Sequence, residues 1–218
     1  MALMNSRSLS HPHPELHGHG LRLCGWDPAS DADAEAWLRG LSDPDFRRWN
    51  TPLSPVTDLD SARASLRGKA DSTANGTSAS FRVTDAATGA TLGHVGVNEI
   101  DHVFRLARVG YWILPEARGR RAATRALDLA ARWALTDLGL HRLELGHAAG
   151  HDASCRIAVR CGFPAEGRCA APCGRRAART PSGTSTCTAA WPRTRRWNSP
   201  EAGQGQSSCR IQPAPFLT

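Results

Sequence analysis

Long apolar segments are absent from this 218-residue chain, although hydrophobic residues make up 40% of it. No run approaches the roughly 20 consecutive apolar residues that a membrane-spanning helix needs. The first residues, MALMNSRSLSHPHPELHGHG, also lack the apolar segment of a secretory signal peptide. We therefore expect a cytoplasmic protein that has no membrane partner.

Acidic residues are nearly absent from the last quarter of the chain, and this absence accounts for the whole net charge of +7. Residues 168–218 contain eight arginines and one acid, Glu201, whereas residues 1–167 contain 19 basic and 19 acidic residues. Proteins that bind nucleic acid usually carry a basic patch on their folded domain. The balanced charge of residues 1–167 therefore predicts no nucleic-acid partner. Salt-dependent binding of nucleic acid by the basic tail is the alternative.

Regular hydrophobic periodicity is missing from residues 168–218, which are rich in Pro, Gly, Ser, Thr and Arg. Composition alone favours a disordered basic tail. A one-base frameshift near Gly167 is the alternative hypothesis, because a single lysine against 26 arginines indicates a GC-rich coding sequence. In the shifted frame residues 169–173 can encode Leu-Arg-Gly-Ala-Leu, and residues 179–194 gain the alternation of a β-hairpin. An unbroken frame on resequencing the DNA would exclude this hypothesis.

Cysteine pairs with the spacing of metal ligands are absent as well. Cys24, Cys155 and Cys161 contain no C-x-x-C motif, and a cytoplasmic chain is expected to keep them reduced. The histidines at positions 11, 13, 17 and 19 have no ordered partner spacing. We expect no metal site, and we expect residues 1–19 to form a disordered N-terminal segment.

Periodicity and cap residues predict an α+β fold in residues 20–167. The predicted strands are residues 21–27, two strands within 80–101 that flank the turn Asp85–Gly89, residues 103–114 and residues 141–147. The predicted helices are residues 29–43, which begin with the cap-type residues Ser30 and Asp31, residues 59–69 after the N-cap Thr57, a helix after Arg121, and residues 151–161 before Gly162. In the third of these helices an alanine-rich stripe faces the core, and Arg125, Asp128 and Arg132 lie opposite.

The segment WILPEARGRRAATRAL, residues 112–127, joins a strand to the third helix through three arginines and one glycine. The first amides of a helix have no acceptor within the helix, and the helix dipole favours an anion there. Small side chains allow an anion to approach these amides directly. The segment therefore predicts a pyrophosphate site.

Several motifs together resemble the GNAT superfamily of N-acetyltransferases, and in particular its RimJ/RimL branch, over roughly residues 20–167. They are Arg118–Ala123 for the R-x-x-G-x-A acetyl-CoA loop, Gly110–Ile113 for the GYW strand, Asn98 and Asp101 for the N-x-I-E/D strand, and Gly150–Ser154 with Cys161–Phe163 for the last helix. The resemblance implies a mixed, mostly antiparallel sheet flanked by helices, an α/β sandwich. It also implies acetyl-CoA as co-substrate.

The resemblance assigns cofactor binding to Ile113, Leu114, Arg118, Gly119, Arg120, Arg121, Ala122, Ala123, Thr124 and His151. Two of these residues depart from the family pattern. Arg121 stands at the loop's usual second glycine, where a side chain weakens a close approach of phosphate or contacts the phosphate itself. His151 stands where the family has asparagine.

The candidate catalytic residues are Glu99, Asp101 and Ser154. Glu99 and Asp101 end a strand and could act as general bases, although solvated turn acids are the simpler interpretation for each of them. Many GNAT enzymes use a tyrosine to protonate the leaving thiolate. The only tyrosine of this chain, Tyr111, lies within a strand and is expected in the core. Ser154 is the remaining candidate for that role, and an ordinary position on the helix surface is an equally simple interpretation of it. A route through water with no dedicated base stays open.

The resemblance implies transfer of an acetyl group to a primary amine, with a protein N-terminus or a small amine as substrate. A non-catalytic acyl-CoA-binding protein and an antibiotic acetyltransferase remain alternatives. We expect a monomer or a homodimer. If the tail replaces the family's last β-hairpin, the strand at residues 141–147 is expected to have an unpaired edge. We then expect the chain to fold poorly and to be weakly active or inactive.

Overall fold

The computed structural model describes residues 14–50, 54–168 and 186–189. Eight strands in this part of the chain form one sheet in the order β1-β2-β3-β4-β5-β6-β8-β7. The strands are β1 Leu16–Gly18, β2 Leu21–Gly25, β3 Ala79–Asp85, β4 Thr91–Asp101, β5 Leu106–Ile113, β6 Arg142–Ala148, β7 Ala165–Arg168 and β8 Thr186–Ala189. The helices are α1 Asp31–Ser42, α2 Pro44–Trp49, α3 Leu59–Ala74, α4 Ala122–Thr136 and α5 Asp152–Arg160. The expected sandwich of a mixed, mostly antiparallel sheet and flanking helices is confirmed.

Both faces of the sheet carry hydrophobic core. On one face, α4 and α5 pack against residues such as Phe81, Val95 and Leu143. On the other face, α1 and α3 pack around Trp37, Leu66 and Trp112. No helix in the described ranges is long and apolar enough to cross a membrane.

The sheet opens between β5 and β6, which run parallel. They pair only at Leu106–Arg108 with Arg142–Glu144. Leu114 donates its backbone N–H to the Leu92 carbonyl on the β4 side. Because backbone groups alternate direction along a strand, Ile113 and Tyr111 point their amides toward the opening.

Short-range cap signals in the sequence are reproduced closely in the helices. The Ser30 hydroxyl accepts from the Asp33 amide at the start of α1, as predicted. For α3 the N-cap is Asp58 rather than Thr57, because Asp58 and Ser61 form a reciprocal capping box. The predicted helix after Arg121 is α4, but Asp128 is buried in it rather than exposed.

Two predicted boundaries near the strands are wrong. The expectation that residues 1–19 are disordered fails for Leu16–Gly18, which pair with β2, while residues 1–13 lie outside the described ranges. The strand predicted from residue 103 begins at Leu106, since the Asp101 carboxylate accepts from the amides of Val103 and Phe104 and closes a turn.

The predicted unpaired edge of β6 is also wrong where the chain is described. Leu145–Ala148 pair with β8, and β8 pairs in turn with β7. The C-terminal tail expected at residues 168–218 therefore contributes at least one strand. Residues 169–185 and 190–218 lie outside the described ranges, so the frameshift hypothesis stays a prediction.

Candidate active site

A cavity of about 450 Å³ lies where β5 and β6 separate, between α2 on one side and the first turn of α4 and α5 on the other. Its lining combines aromatic, small and basic side chains. The lining residues are Asp45, Phe46, Trp49, Asn50, Tyr111, Trp112, Ile113, Ala117, Arg118, Gly119, Arg121, Ala122, Ala123, Thr124, His151, Ala153, Arg156, Ile157 and Arg160. Eight of the ten residues assigned to cofactor binding from the sequence thus border one cavity.

The floor of the cavity includes the amide cradle, which we define as the backbone N–H groups of Ala122, Ala123 and Thr124. The first helical hydrogen bond of α4 is donated by Arg125 to the Arg121 carbonyl, so these three amides precede the helical ladder. Three free amides at the positive end of a 15-residue helix favour an anion.

Arg121 holds the cap position of α4 in the left-handed conformation, with φ 58° and ψ 20°. Gly119, two residues earlier, also has a positive φ of 77°. For a residue with a β-carbon this conformation costs about 1–2 kcal/mol. The turn thus has the geometry that a glycine would satisfy, and Arg121 adopts it at an energetic cost.

Arg118 acts within the protein rather than toward the cavity. Its guanidinium donates to Asp43 at 2.5 Å, to Asp45 at 3.2 Å and to the Ile113 carbonyl at 3.2 Å. Partial burial would raise the pKa of Asp43, but the hydrogen bonds from Arg118 and from the Phe46 amide hold it below its ordinary value. Arg118 therefore fixes α2 against the end of β5.

Tyr111 lines the cavity as well as packing on the core, which differs from the purely structural role expected for it. Its hydroxyl lies 2.8 Å from the hydroxyl of Ser154, which is buried on α5. Burial raises the pKa of Tyr111 to about 12, although the Ser154 hydrogen bond opposes the shift. Tyr111 is therefore a protonated hydrogen-bond donor at neutral pH.

His151 bridges the two sides of the cavity by stacking on Trp49 of α2. The ring centroids are 4.7 Å apart and the planes differ by 5°. Burial, and then the charge of nearby His147, lower the pKa of His151, so the ring is neutral at pH 7. The side chain that replaces asparagine thus contributes a contact with α2.

Five candidate site residues named from the sequence lie outside the cavity lining: Glu99, Asp101, Leu114, Arg120 and Ser154, which is buried beneath the lining and reaches it through Tyr111. Glu99 is exposed, and its carboxylate pairs with the Arg108 guanidinium at 3.5 Å. Arg108 precedes Tyr111 by three residues on β5, so Glu99 lies about 10 Å along the sheet from Tyr111. The carboxylate of Asp101 serves the turn described above. Leu114 is buried, and its backbone amide donates to the Leu92 carbonyl. Arg120 is exposed to solvent.

Sequence reasoning missed the residues that α2 and α5 bring to the cavity. Phe46 and Trp49 come from α2, a six-residue helix that was not predicted. Arg156 and Arg160 come from α5. Their spacing of four residues on a predicted helix was a signal that they share a face.

Comparison with known proteins identifies the family. The model of the acetyltransferase (GNAT) domain matches residues 26–164. The chain belongs to the GNAT acetyltransferase family. This is the family that the motifs implied, and its fold is the one expected from them.

The relatives of this GNAT protein include ribosomal-protein acetyltransferases. A Bacillus subtilis protein named "Putative ribosomal N-acetyltransferase YdaF" is 32% identical over 80 residues, which is 37% of this chain and 44% of that relative's length. The structure of RimL, the ribosomal L7/L12 alpha-N-protein acetyltransferase in complex with coenzyme A, has a TM-score of 0.71 at 16% identity and covers 82% of this chain and 97% of its own. RimJ of Mycobacterium smegmatis in complex with CoA-disulfide has a TM-score of 0.69 at 21% identity and covers 83% and 87%. At these identities the structural likeness shows the fold.

Proposed function

We propose that this GNAT protein transfers an acetyl group from acetyl-CoA to a primary amine, with a protein N-terminal α-amine as its preferred acceptor. The observation that carries the proposal is the meeting of the amide cradle with the opening between β5 and β6 in one cavity. The name of the RimL relative, an alpha-N-protein acetyltransferase, supports the choice of acceptor.

The residues of the cavity fit acetyl-CoA. The amide cradle presents donors to a pyrophosphate. The amides of Tyr111 and Ile113 point into the opening, where an extended amide-containing chain can pair with them. The aromatic side chains of Phe46 and Trp49 cover this space from the α2 side. Bound acetyl-CoA supplies a thioester, which is the acyl donor.

The chemistry needs a neutral amine at the thioester carbon. A carbon–nitrogen bond forms, the carbon–sulfur bond breaks, the amine gives one proton to water, and the released sulfur takes one from water. Alignment of the two reactants contributes up to about 7–11 kcal/mol to such a reaction. The principal task of the protein is therefore to hold both reactants in the cavity.

The absence of a free carboxylate in the described cavity lining favours an α-amine as acceptor. The single acid there, Asp45, is paired with Arg118. With pKa values of about 7.8 and 10.4, roughly one α-amine in seven is neutral at pH 7, against roughly one lysine side chain in 2,500. An α-amine can react without a strong base, whereas a lysine side chain requires one.

Tyr111 is the proposed donor to the leaving sulfur. An ordinary thiol has a pKa of about 8.5, far below the value of about 12 for Tyr111, so a full proton transfer to the sulfur is unfavourable. The Tyr111 hydroxyl instead donates a hydrogen bond as negative charge develops on sulfur, and Ser154 positions that hydroxyl.

Mass spectrometry of two peptides incubated with acetyl-CoA tests the acceptor. One peptide has a free N-terminus and no lysine, and the other has a blocked N-terminus and one free lysine. We expect acetylation of the first peptide and little of the second. Faster acetylation of the lysine peptide would contradict the preference for an α-amine.

A non-catalytic acyl-CoA-binding protein is a second candidate function, favoured by Arg121 at the cap of α4. It predicts that acetyl-CoA binds and that neither peptide, nor any small amine, is acetylated. Calorimetry with acetyl-CoA beside the peptide assay separates the two functions.

A further inference from the structure

Four arginines line the cavity, and only one of them is engaged by acids. Arg118 is held by Asp43 and Asp45, as described above. Arg121, Arg156 and Arg160 make no ion pair and no side-chain hydrogen bond with any residue in the described ranges. The cavity therefore has more positive charge than the residues described by the structure neutralise.

Arg156 and Arg160 are four residues apart on α5, so they lie on the same face of the helix. Like charges at this spacing destabilise a helix. Asp152 is four residues before Arg156 and has the spacing of an ion pair, yet no such pair forms in the described structure. Within α5 the helix dipole partly offsets this repulsion at Arg160, which lies in the last turn, and an anionic ligand in the cavity would offset it further.

The arginine pair, Arg156 and Arg160, lies beside the amide cradle. The thiol of Cys161, the residue after Arg160, donates to the carbonyl of Thr124 at 3.4 Å and so links the end of α5 to the first turn of α4. Thr124, Arg156 and Arg160 all border the cavity. Two anion-binding features of different chemistry, helix amides and guanidinium groups, are thus adjacent on one wall.

Coenzyme A carries two kinds of phosphate, a pyrophosphate diester and a ribose 3′-phosphomonoester. The monoester bears a charge of about −1.5 to −2 at pH 7 and has three free oxygens. Guanidinium groups bind such oxygens through paired, charge-assisted hydrogen bonds. The amide cradle suits the pyrophosphate, and the arginine pair suits the monoester.

We propose that Arg156 and Arg160 form a second phosphate subsite, which binds the 3′-phosphomonoester and makes the protein select CoA over 3′-dephospho-CoA. This inference rests on the proposed use of acetyl-CoA. Arg121, at the cap of α4, lies on the pyrophosphate side and is not part of the subsite. The selection concerns the nucleotide end of the cofactor and is independent of the acyl acceptor.

Calorimetric titration with CoA and with 3′-dephospho-CoA tests the subsite, because the two ligands differ only in that phosphate. We expect the protein to bind CoA at least about tenfold more tightly than dephospho-CoA, as for the gain of a charge-assisted contact. In the double variant Arg156→Gln with Arg160→Gln the ratio should approach one, while dephospho-CoA binds as before. Arg67→Gln, an exposed arginine of α3 outside the cavity, is the matched control and should keep the full ratio.

Each other result contradicts a defined part of the account. Equal affinity of the unaltered protein for both ligands would overturn the subsite, as would a double variant that loses both ligands equally. Failure of both ligands to bind would instead overturn the proposed use of CoA and the subsite with it. Competition by adenosine 3′,5′-bisphosphate against 5′-AMP gives the same comparison without the pantetheine chain.

Discussion

Arg121 shows at the level of one residue how this chain departs from its family. The motif places glycine there, and the positive φ of Arg121 supplies the physical reason, since only glycine enters that conformation without cost. The sequence indicated a departure at this position. It could not show that the arginine keeps the turn instead of changing it.

Replacement of Arg121 by glycine is predicted to stabilise the protein. Relief of the left-handed strain raises the free energy of unfolding by about 1–2 kcal/mol. The greater freedom of glycine in the unfolded chain lowers it by up to about 1 kcal/mol. Urea unfolding should give a net gain of up to about 1 kcal/mol. Arg121→Ala, which keeps the strain, should give no gain. A lower unfolding free energy for Arg121→Gly would show that the turn is not strained.

Replacement of Tyr111 by phenylalanine is predicted to lower kcat by about 10- to 100-fold, because a donor to the leaving sulfur is lost. Binding of acetyl-CoA, measured by calorimetry, should change little. Since the pKa of Tyr111 is about 12, the unaltered protein should show no loss of rate from Tyr111 ionisation up to about pH 10. Ser154→Ala keeps the hydroxyl of Tyr111 and should have a smaller effect. An unchanged kcat in Tyr111→Phe would exclude Tyr111 from the reaction.

At the scale of elements, α2 depends on contacts that no local pattern reveals. Its six residues bury no side chain fully, and a helix this short is marginal alone. Arg118 holds α2 through Asp43 and Asp45, and His151 stacks on Trp49. Both partners, Arg118 and His151, are more than 70 residues away along the chain from the residues that they contact. The cap signals at Ser30 and Gly162 were readable because they involve neighbouring residues only.

Replacement of Asp43 by asparagine should keep the cap of α2 and lose the ion pair with Arg118. We expect the free energy of unfolding to fall by about 1–2 kcal/mol at pH 7. The loss is no larger because Arg118 is half-exposed and solvent screens the ion pair. Because the pKa of Asp43 is lowered in the folded protein, this stabilisation is present above the unfolded value of 3.8 and disappears as pH falls through the lower folded value. Urea unfolding of both proteins should therefore converge at low pH. Asp45→Asn, at the exposed partner, should cost about 0.5 kcal/mol or less.

His94 gives the sheet its own pH dependence. Burial, and then the charge of Lys69, lower the pKa of His94 from 6.5 to about 3, although its hydrogen bond to the Phe81 carbonyl opposes the shift. Below pH 6.5 His94 binds a proton in the unfolded chain, whereas in the folded chain it stays neutral down to about pH 3. The free energy of unfolding therefore falls as pH falls from 6.5 to about 3. His94→Gln should flatten this dependence, whereas the exposed His17→Gln should not. If the free energy of unfolding depended on pH with the same slope in His94→Gln and in the unaltered protein, His94 would not be a neutral buried histidine.

At the scale of the whole molecule, the fold could be predicted further than the site. Strand alternation, cap residues and the alanine stripe of α4 are local, and they predicted the order of the elements between residues 20 and 164 with the exception of α2. The buried Asp128 departs from its pattern because His19, from the β1–β2 turn, bonds to it at 2.9 Å across 109 residues. Motif positions predicted the amide cradle, but Trp49 and the arginine pair reach the cavity only through tertiary packing.

The release of free thiol from acetyl-CoA in the presence of a peptide with a free N-terminus tests the central claim most directly. The protein should release one thiol for each peptide acetylated, and Ala123→Glu should abolish release. A glutamate at this position favours the helix through its dipole while its charge repels phosphate from the amide cradle, so the variant should stay folded. Ala123→Gln, of equal size and no charge, should retain part of the activity. Binding of acetyl-CoA without peptide-dependent thiol release, or equal release by Ala123→Glu, would contradict the account.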